Sequence, residues 1–103
     1  MDMTTYQHQA YTTATESSRN IYYMTMGLTG EAGEIANKVK KVMRDAREID
    51  REDLAKEIGD VLWYVAGLCT VLDLDLDDVA EANLKKLADR KARGVIGGSG
   101  DNR

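Results

Sequence analysis

The sequence predicts an all-α fold, with a four-helix bundle-like protomer that assembles as a homo-oligomer. Apolar residues recur at helical spacing in several segments, the chain contains no proline, and no strand pattern of useful length occurs. At 103 residues the chain fits a single domain over residues 1–103. A domain of this size buries only about 60–70% of its unfolded surface, so we expect partner subunits to add to the core.

The first two helices are predicted from a capping box and from apolar spacing. The first spans residues 5–17, with Thr4 as its N-cap and Gln7 as the capping-box partner three residues on. Its apolar stripe is thin, which predicts packing at the edge of the core. The second helix spans residues 23–44, where Ile35, Val39 and Val42 recur at helical spacing.

Aspartates precede both later helices. Asp50 caps a third helix over residues 51–72, and the wide apolar stripe of this helix predicts that it is the most buried element. Asp75 caps a fourth helix over residues 76–93, and Gly94 is a suitable C′ residue to end it. The glycine-rich tail, residues 94–103, has two interpretations, a flexible end or an ordered segment that covers a site.

Composition and charge exclude several classes of function. The net charge is −4 and the pI is near 4.9, which argues against nucleic acid as a partner because duplex binding needs a basic face. No run approaches the ~18 apolar residues of a membrane span, and the first residues do not read as a secretory signal. The lone Cys69 cannot form an internal disulfide, and its apolar neighbours favour core packing. We therefore expect a cytoplasmic protein.

Two matched acidic pairs are the most informative motifs. Glu31 and Glu34 are three residues apart, as are Glu57 and Asp60, and both pairs lie in predicted helices. Residues at this spacing have Cβ atoms about 5–6 Å apart, so each pair presents two carboxylates on one face. In a hairpin the two pairs would lie roughly 17 and 11 Å from the turn, a mismatch that a helix tilt can absorb. The pairs can therefore face each other.

Opposed carboxylates of this kind predict a cation site. Oxygen ligands without cysteine or histidine partners fit Mg²⁺, with Mn²⁺ as the other option, rather than zinc. The one histidine, His8, lies in the first helix, where a solvated or packing role is expected. Gly33 and Gly59 occupy the same slot in each pair, and each costs about 1 kcal/mol in a helix interior, which favours a functional interpretation. The other interpretation is a solvated surface on a helical interaction module that recruits a partner helix.

Basic and polar side chains must bind any phosphate, because the sequence contains no P-loop. Lys38 follows Glu34 at i+4 and so shares the acidic face. Asn83, Lys86 and Arg90 lie along the predicted fourth helix. These three form either a phosphate and sugar clamp or a solvated helix face.

Aromatic residues near the second acidic pair offer a surface for a base or a ribose. Tyr64 lies four residues after Asp60 and would stack beside the metals. Trp63 faces about 100° away from Tyr64 and is expected at a helix or subunit contact. Tyr22 or Tyr23 could also supply an aromatic wall, so the sequence leaves the base preference open.

From about residue 27 to residue 103 the sequence resembles the MazG-like family of all-α nucleoside triphosphate pyrophosphohydrolases. The resemblance rests on four motifs in order, at residues 27–34, 38–41, 57–64 and 83–87, which read GLTGEAGE, KVKK, EIGDVLWY and NLKKL. Several linked motifs in order are far more specific than either carboxylate pair alone.

The resemblance implies that water attacks the α-phosphorus of a nucleoside triphosphate and releases a nucleoside monophosphate and pyrophosphate. Such an activity serves nucleotide-pool housecleaning, on ribonucleotides or deoxynucleotides. The implied catalytic residues are also the implied ligands of Mg²⁺ or Mn²⁺: Glu31, Glu34, Glu57 and Asp60. Which group activates the water stays open.

The resemblance also extends to substrate binding and assembly. It favours Asn83 and Lys86 as members of a clamp, beside Lys38 and Tyr64, and it leaves Arg90 open. It implies a homodimer or a homotetramer built as a dimer of dimers. Glycine-rich endings similar to residues 94–103 occur in relatives, so an ordered role for the tail stays open.

Overall fold

The computed structural model describes residues 1–103 and is all-helical, with four α-helices and no strands. The helices are α1 (Met3–Tyr11), α2 (Ile21–Arg44), α3 (Arg51–Val71) and α4 (Leu76–Ala92). A short 3₁₀ helix, Glu16–Ser18, lies between α1 and α2. The predicted all-α class with four helices is confirmed.

The N-terminus of α1 differs from the prediction. Asp2, not Thr4, is the N-cap, because its carboxylate accepts a hydrogen bond of 2.7 Å from the backbone N–H of Thr5. The hydroxyl of Thr4 instead lies 2.8 Å from an oxygen of Asp75 and 2.7 Å from one of Asp77. Thr4 therefore ties α1 to the start of α4.

Gln7 is not a capping-box partner either, since it is buried and binds the turn between α3 and α4. Its amide nitrogen donates to the Thr70 hydroxyl at 3.1 Å and to the Leu74 carbonyl at 2.9 Å. Its amide oxygen accepts from the backbone N–H of Leu76 at 2.8 Å. Gln7 thus satisfies the backbone of a sharp turn from the side of α1.

Helix α1 ends at Tyr11, well before residue 17. The hydroxyls of Thr12 and Thr13 donate to the carbonyls of Gln9 and Ala10, at 2.6 and 2.7 Å. Threonine hydroxyls that bind nearby carbonyls compete with the regular helical pattern, so the helix stops there.

The boundaries of the other helices agree more closely with the prediction. Asn20 caps α2, two residues earlier than expected, by accepting from the N–H of Tyr23. Asp50 and Asp75 cap α3 and α4 as predicted. Gly94 follows the end of α4 with a φ of 72°, a left-handed conformation that glycine adopts at no steric cost.

Helices α2 and α3 form a hairpin and make the most extensive contact in the chain, while α1 packs on α3 and α4. A small core joins Ala66, Cys69 and Leu76, with Tyr6 and Val65 against it. As predicted, Cys69 is buried, and burial raises the pKa of its thiol.

Burial of α3 is confined to one end. Its buried residues are Ala66, Gly67 and Cys69, and Met24 of α2 packs so closely there that a Cβ on Gly67 would lie 2.5 Å from its sulfur. Toward the hairpin turn, Ile58 and Leu62 of the predicted apolar stripe stay 57% and 41% exposed. The stripe is therefore only half covered within one chain.

The tail folds against α4. The guanidinium of Arg90 is buried and donates to the carbonyls of Gly100 and Asp101, while that of Arg103 donates to the carbonyls of Val95 and Ile96. Two arginines thus bind the tail's backbone carbonyls. None of the helices is long and apolar enough to cross a membrane.

Candidate functional site

The hairpin of α2 and α3 brings three of the four predicted acidic residues together. Carboxylate oxygens of Glu31, Glu57 and Asp60 all lie within 4.8 Å of one another, and we refer to these three residues as the acidic cluster. Glu34 lies on α2 one turn after Glu31, is exposed, and is not part of the cluster. The i, i+3 spacing explains the pair on α3, and the hairpin supplies Glu31 from across the groove.

Like charges shape the electrostatics of the acidic cluster. Desolvation is the first cause that raises the pKa of Glu31, followed by a hydrogen bond with Glu57 and by the charges of Asp60, Glu57 and Glu34. A carboxyl group with a raised pKa is one whose ionised form lacks sufficient compensating charge. A divalent cation would supply that charge, and an all-oxygen donor set suits a hard cation, so the residues present fit Mg²⁺ or Mn²⁺.

Lys38 is the only cationic residue that forms an ion pair with the cluster. Its ammonium lies 3.1 Å from an oxygen of Glu57 and 2.8 Å from an oxygen of Asp53. These two bonds raise the pKa of Lys38, the bond to Asp53 most. The sequence prediction that Lys38 shares the acidic face is consistent with this geometry, but the partner Asp53 was not anticipated.

A cavity of about 210 Å³ opens beside Lys38 and Asp53, near the hairpin turn. Apolar residues from both helices line one part of it; Lys41 and Arg47 add positive charge, and Glu48 and Asp50 add negative charge. The cavity places open space next to the ammonium of Lys38.

On the side of the cluster away from the turn, Tyr64 forms an aromatic wall. Its ring packs directly on Gly27, where an added Cβ would lie 2.0 Å from a ring carbon. The ring of Tyr23 lies 6.3 Å away at 29°. Burial is the largest cause that raises the pKa of Tyr64, and Tyr23, Glu31 and Asp60 add to it. Tyr64 lies four residues after Asp60 on α3, so the two residues are neighbours on one face of the helix.

Trp63 points toward α1 and makes the helix contact expected of it. Its indole N–H lies 3.1 Å from the Ala10 carbonyl and 2.9 Å from the Thr13 hydroxyl. Its ring meets Tyr64 edge to face at 5.0 Å. Trp63 therefore supports the aromatic wall from behind and anchors the end of α1.

The predicted clamp residues on α4 form no polar contact with the acidic cluster. Asn83 and Lys86 are exposed on α4, which packs on α1, and no hydrogen bond or ion pair joins them to the cluster. Lys86 lies 3.3 Å from the carboxylate of Asp101. Arg90, which the sequence left open, is buried and holds the tail. His8 is exposed, and Gly33 and Gly59 face open space.

Sequence reasoning missed Asp53. The available signal was its position four residues before Glu57, which puts both carboxylates on one face of α3, on the helix that opposes Lys38. Pairing across the hairpin could not be read without the register of the two helices.

Comparison with known proteins identifies the family of the chain. The model of the MazG nucleotide pyrophosphohydrolase domain matches residues 19–95, which include the acidic cluster and all of α2 and α3. Over 92 residues the chain is 56% identical to the Gene 37 protein of Mycobacterium phage L5, across 85% of this chain and 81% of that protein. No solved structure matches the chain. Because the domain model covers most of its length, the chain belongs to the MazG nucleotide pyrophosphohydrolase family.

Proposed function

We propose that this protein hydrolyses nucleoside triphosphates, ribonucleotides or deoxynucleotides, to a nucleoside monophosphate and pyrophosphate with Mg²⁺. The observation that carries the proposal is the convergence of Glu31, Glu57 and Asp60 in a member of a nucleotide pyrophosphohydrolase family. Removal of unwanted nucleotides from the cytoplasmic pool is the corresponding role.

Glu31, Glu57 and Asp60 would hold the metal, with Glu34 as the fourth proposed ligand and Mn²⁺ as an alternative ion. When bound, the ion supplies positive charge that offsets the phosphate oxygens and orients the phosphorus for attack. The cluster's own side chains accept the proton of the attacking water.

Lys38 and Tyr64 would bind opposite parts of the substrate. The ammonium of Lys38 lies at the cavity side of the cluster and is suited to the phosphate oxygens of the outgoing pyrophosphate. The ring of Tyr64 lies on the other side and offers a face for the ribose or the base. The substrate would then run along the groove between α2 and α3.

We propose a homo-oligomer, a homodimer or a dimer of dimers, because one chain is too open to be complete. Its accessible surface is 7543 Å², whereas a compact monomer of 11.4 kDa exposes about 5,800 Å². Its radius of gyration is 16.4 Å, against about 13 Å for a compact domain of this length. The excess surface, about 1,700 Å², is of the size that a stable subunit interface buries on each chain.

The assembly would also bring Asn83 and Lys86 to substrate. These residues form no polar contact with the cluster of their own chain, so their proposed clamp requires the groove of another copy. Mixing Glu57→Ala chains with Lys86→Ala chains tests this, because mixed oligomers would contain one intact site and recover turnover. Absence of recovery in mixed oligomers of confirmed composition contradicts the shared site.

Product analysis in ¹⁸O-labelled water tests the reaction. We expect label in the nucleoside monophosphate, because water attacks the α-phosphorus, and we expect turnover that depends on Mg²⁺. Labelled orthophosphate with a nucleoside diphosphate would place the attack on the γ-phosphorus instead. A helical interaction module would release no product, and millimolar Mg²⁺ would not change its melting temperature.

A further inference from the structure

We propose that Asp53 is a positioning residue that holds Lys38 ready to leave Glu57 when a divalent cation binds the acidic cluster. Tethered to Asp53, Lys38 then stays beside the site, where its ammonium can meet a phosphate. The inference rests on the proposed function for the roles of metal and phosphate, and it assigns a role to a residue outside the acidic cluster.

The contacts around Lys38 carry the proposal. Its ammonium lies 2.8 and 2.9 Å from the two carboxylate oxygens of Asp53 and 3.1 Å from one oxygen of Glu57. The side chain of Glu57 is 17% exposed, that of Lys38 31%, and that of Asp53 46%. Lys38 is therefore shared, with its closest contacts to the carboxylate that does not belong to the cluster.

Local structure keeps Asp53 in place. Asp53 and Glu57 lie four residues apart, so they occupy one face of α3. The carboxylate of Asp50 accepts a hydrogen bond of 3.1 Å from the backbone N–H of Asp53, which fixes the first turn of the helix. The cavity beside Asp53 and Lys38 leaves open space next to the ammonium.

Competition between like charges gives Asp53 its role. A divalent cation and an ammonium cannot both bind the same oxygen of Glu57 without repulsion. If Glu57 were the only partner of Lys38, cation binding would leave the ammonium without an anionic partner. The affinity of the cluster for the cation would then be lower. Asp53 gives Lys38 a second anionic partner, so the cation gains Glu57 while Lys38 keeps an ion pair.

A purely structural interpretation makes different predictions. A partly exposed ion pair between α2 and α3 contributes little to stability and has no reason to affect cation affinity. Under that interpretation Asp53→Asn lowers the melting temperature slightly, and Lys38→Met does the same. The two interpretations therefore separate on cation binding and on turnover, not on stability.

Calorimetric titration with Mg²⁺ alone, on the intact oligomer, is the first test. We expect Asp53→Asn to weaken Mg²⁺ binding about fivefold, because Glu57 is then the only carboxylate that pairs with Lys38 and must give up that ion pair to bind the cation. Lys38→Met should strengthen it by a similar factor, and the double variant should bind Mg²⁺ as Lys38→Met does, to within about twofold, because Asp53 acts only through Lys38. Glu52→Gln removes the same charge from the same turn without touching Lys38 and should change affinity by less than about twofold.

An unchanged affinity in Asp53→Asn, or an equal loss in Glu52→Gln, overturns the proposal. A double variant that binds Mg²⁺ about fivefold more weakly than Lys38→Met also overturns it, because Asp53 would then affect the cation without Lys38.

Turnover at saturating Mg²⁺ is the second test. Asp53→Asn should lower kcat about tenfold, the scale of losing a group that orients another, and should have no further effect in a Lys38→Met background. An equal loss in that background shows that Asp53 does not act through Lys38 and overturns the proposal. If the wild-type protein binds Mg²⁺ but releases no product, the proposed function is wrong. The role of Asp53 in holding Lys38 is still tested by the Mg²⁺ titration.

Discussion

Two groups of acidic residues in this protein differ in the direction in which folding shifts the pKa of a carboxyl group. Asp75 and Asp77 stand at the start of α4, where the hydroxyl of Thr4 lies 2.8 and 2.7 Å from their carboxylates and backbone N–H groups also bind Asp75. The Thr4 hydroxyl is the first cause that lowers the pKa of Asp75. In the acidic cluster, desolvation and neighbouring carboxylates raise the pKa of Glu31.

The difference shows that the supply of donors, not the number of acids, separates a structural group from a candidate cation site. At the start of α4, a helix N-terminus and a hydroxyl stabilise the ionised carboxylates, so no further cation is needed. Between α2 and α3 the one cationic partner, Lys38, is shared with Asp53, so charge remains to be compensated.

The largest expected effect comes from removing a member of the acidic cluster. Glu57→Ala should lower turnover by about 10³-fold and abolish the rise in melting temperature with Mg²⁺, because a proposed ligand is lost. Asp78→Ala, an exposed acid in the first turn of α4, is the control and should retain both. Melting curves with and without Mg²⁺, together with product assays, measure this. Equal losses in the two variants would erase the distinction between the groups.

Next in size is the loss of the charge on the residue that caps α4. Asp75→Asn keeps an oxygen that can cap the helix but removes the charge, so it should lower the melting temperature by about 3 °C near neutral pH, with turnover and the response to Mg²⁺ retained. Because folding lowers the pKa of Asp75, its contribution is present above the unfolded pKa of about 4 and is lost as the pH falls through the folded pKa. Melting curves between about pH 2 and pH 7 should converge for wild type and variant at the acid end. Parallel curves would contradict the assignment.

A smaller effect of opposite sign is expected at Glu31. Folding raises its pKa, so the ionised group opposes folding once the pH exceeds the unfolded pKa. Without metal, Glu31→Gln should therefore raise the melting temperature at pH 7 by about 2 °C, and it should reduce the gain from Mg²⁺. Glu34→Gln, outside the cluster, should raise the metal-free melting temperature less. A fall in metal-free stability for Glu31→Gln would mean that Glu31 is a structural acid like Asp75.

The smallest effect concerns Asp101, an acid whose partners are cations. Lys86 first and then Arg90 lower its pKa, and its side chain is 84% exposed. Asp101→Asn should leave the melting temperature within about 1 °C of wild type and lower KM about twofold, because Lys86 no longer shares its charge with Asp101. Asp89→Asn, which breaks a pair with Arg93 on the same helix, is the control. A matching change in KM there would assign the effect to overall charge.

Short-range signals in the sequence were sufficient for two helix starts and for part of the site. Asp50 and Asp75 cap the helices that follow them directly, and i, i+3 spacing pairs Glu57 with Asp60. The role of Thr4 could not be predicted from the sequence, because its hydroxyl binds Asp75, a residue far away in the chain. Local rules made Thr4 a cap, and tertiary contact gave the hydroxyl another partner.

The rest of the site depends on register and on chain path. Pairing of Lys38 with Asp53 requires the alignment of α2 with α3 to within a turn, which spacing along one helix cannot provide. The buried position of Arg90 depends on the return of the tail to α4, and glycine-rich sequence alone does not set that path. Neither contact could be predicted, because each joins residues that are far apart in the sequence.

The close contact between Gly27 and Tyr64 makes residue volume a control on the groove. Any side chain at position 27 would overlap the ring, so the ring would have to move relative to Glu31 and Asp60. A change of one methyl group there would alter the distance between the aromatic wall and the carboxylates while the charge of the site stayed the same. Paired substitutions at positions 27 and 64 would therefore change the substrate preference while every acidic residue is retained.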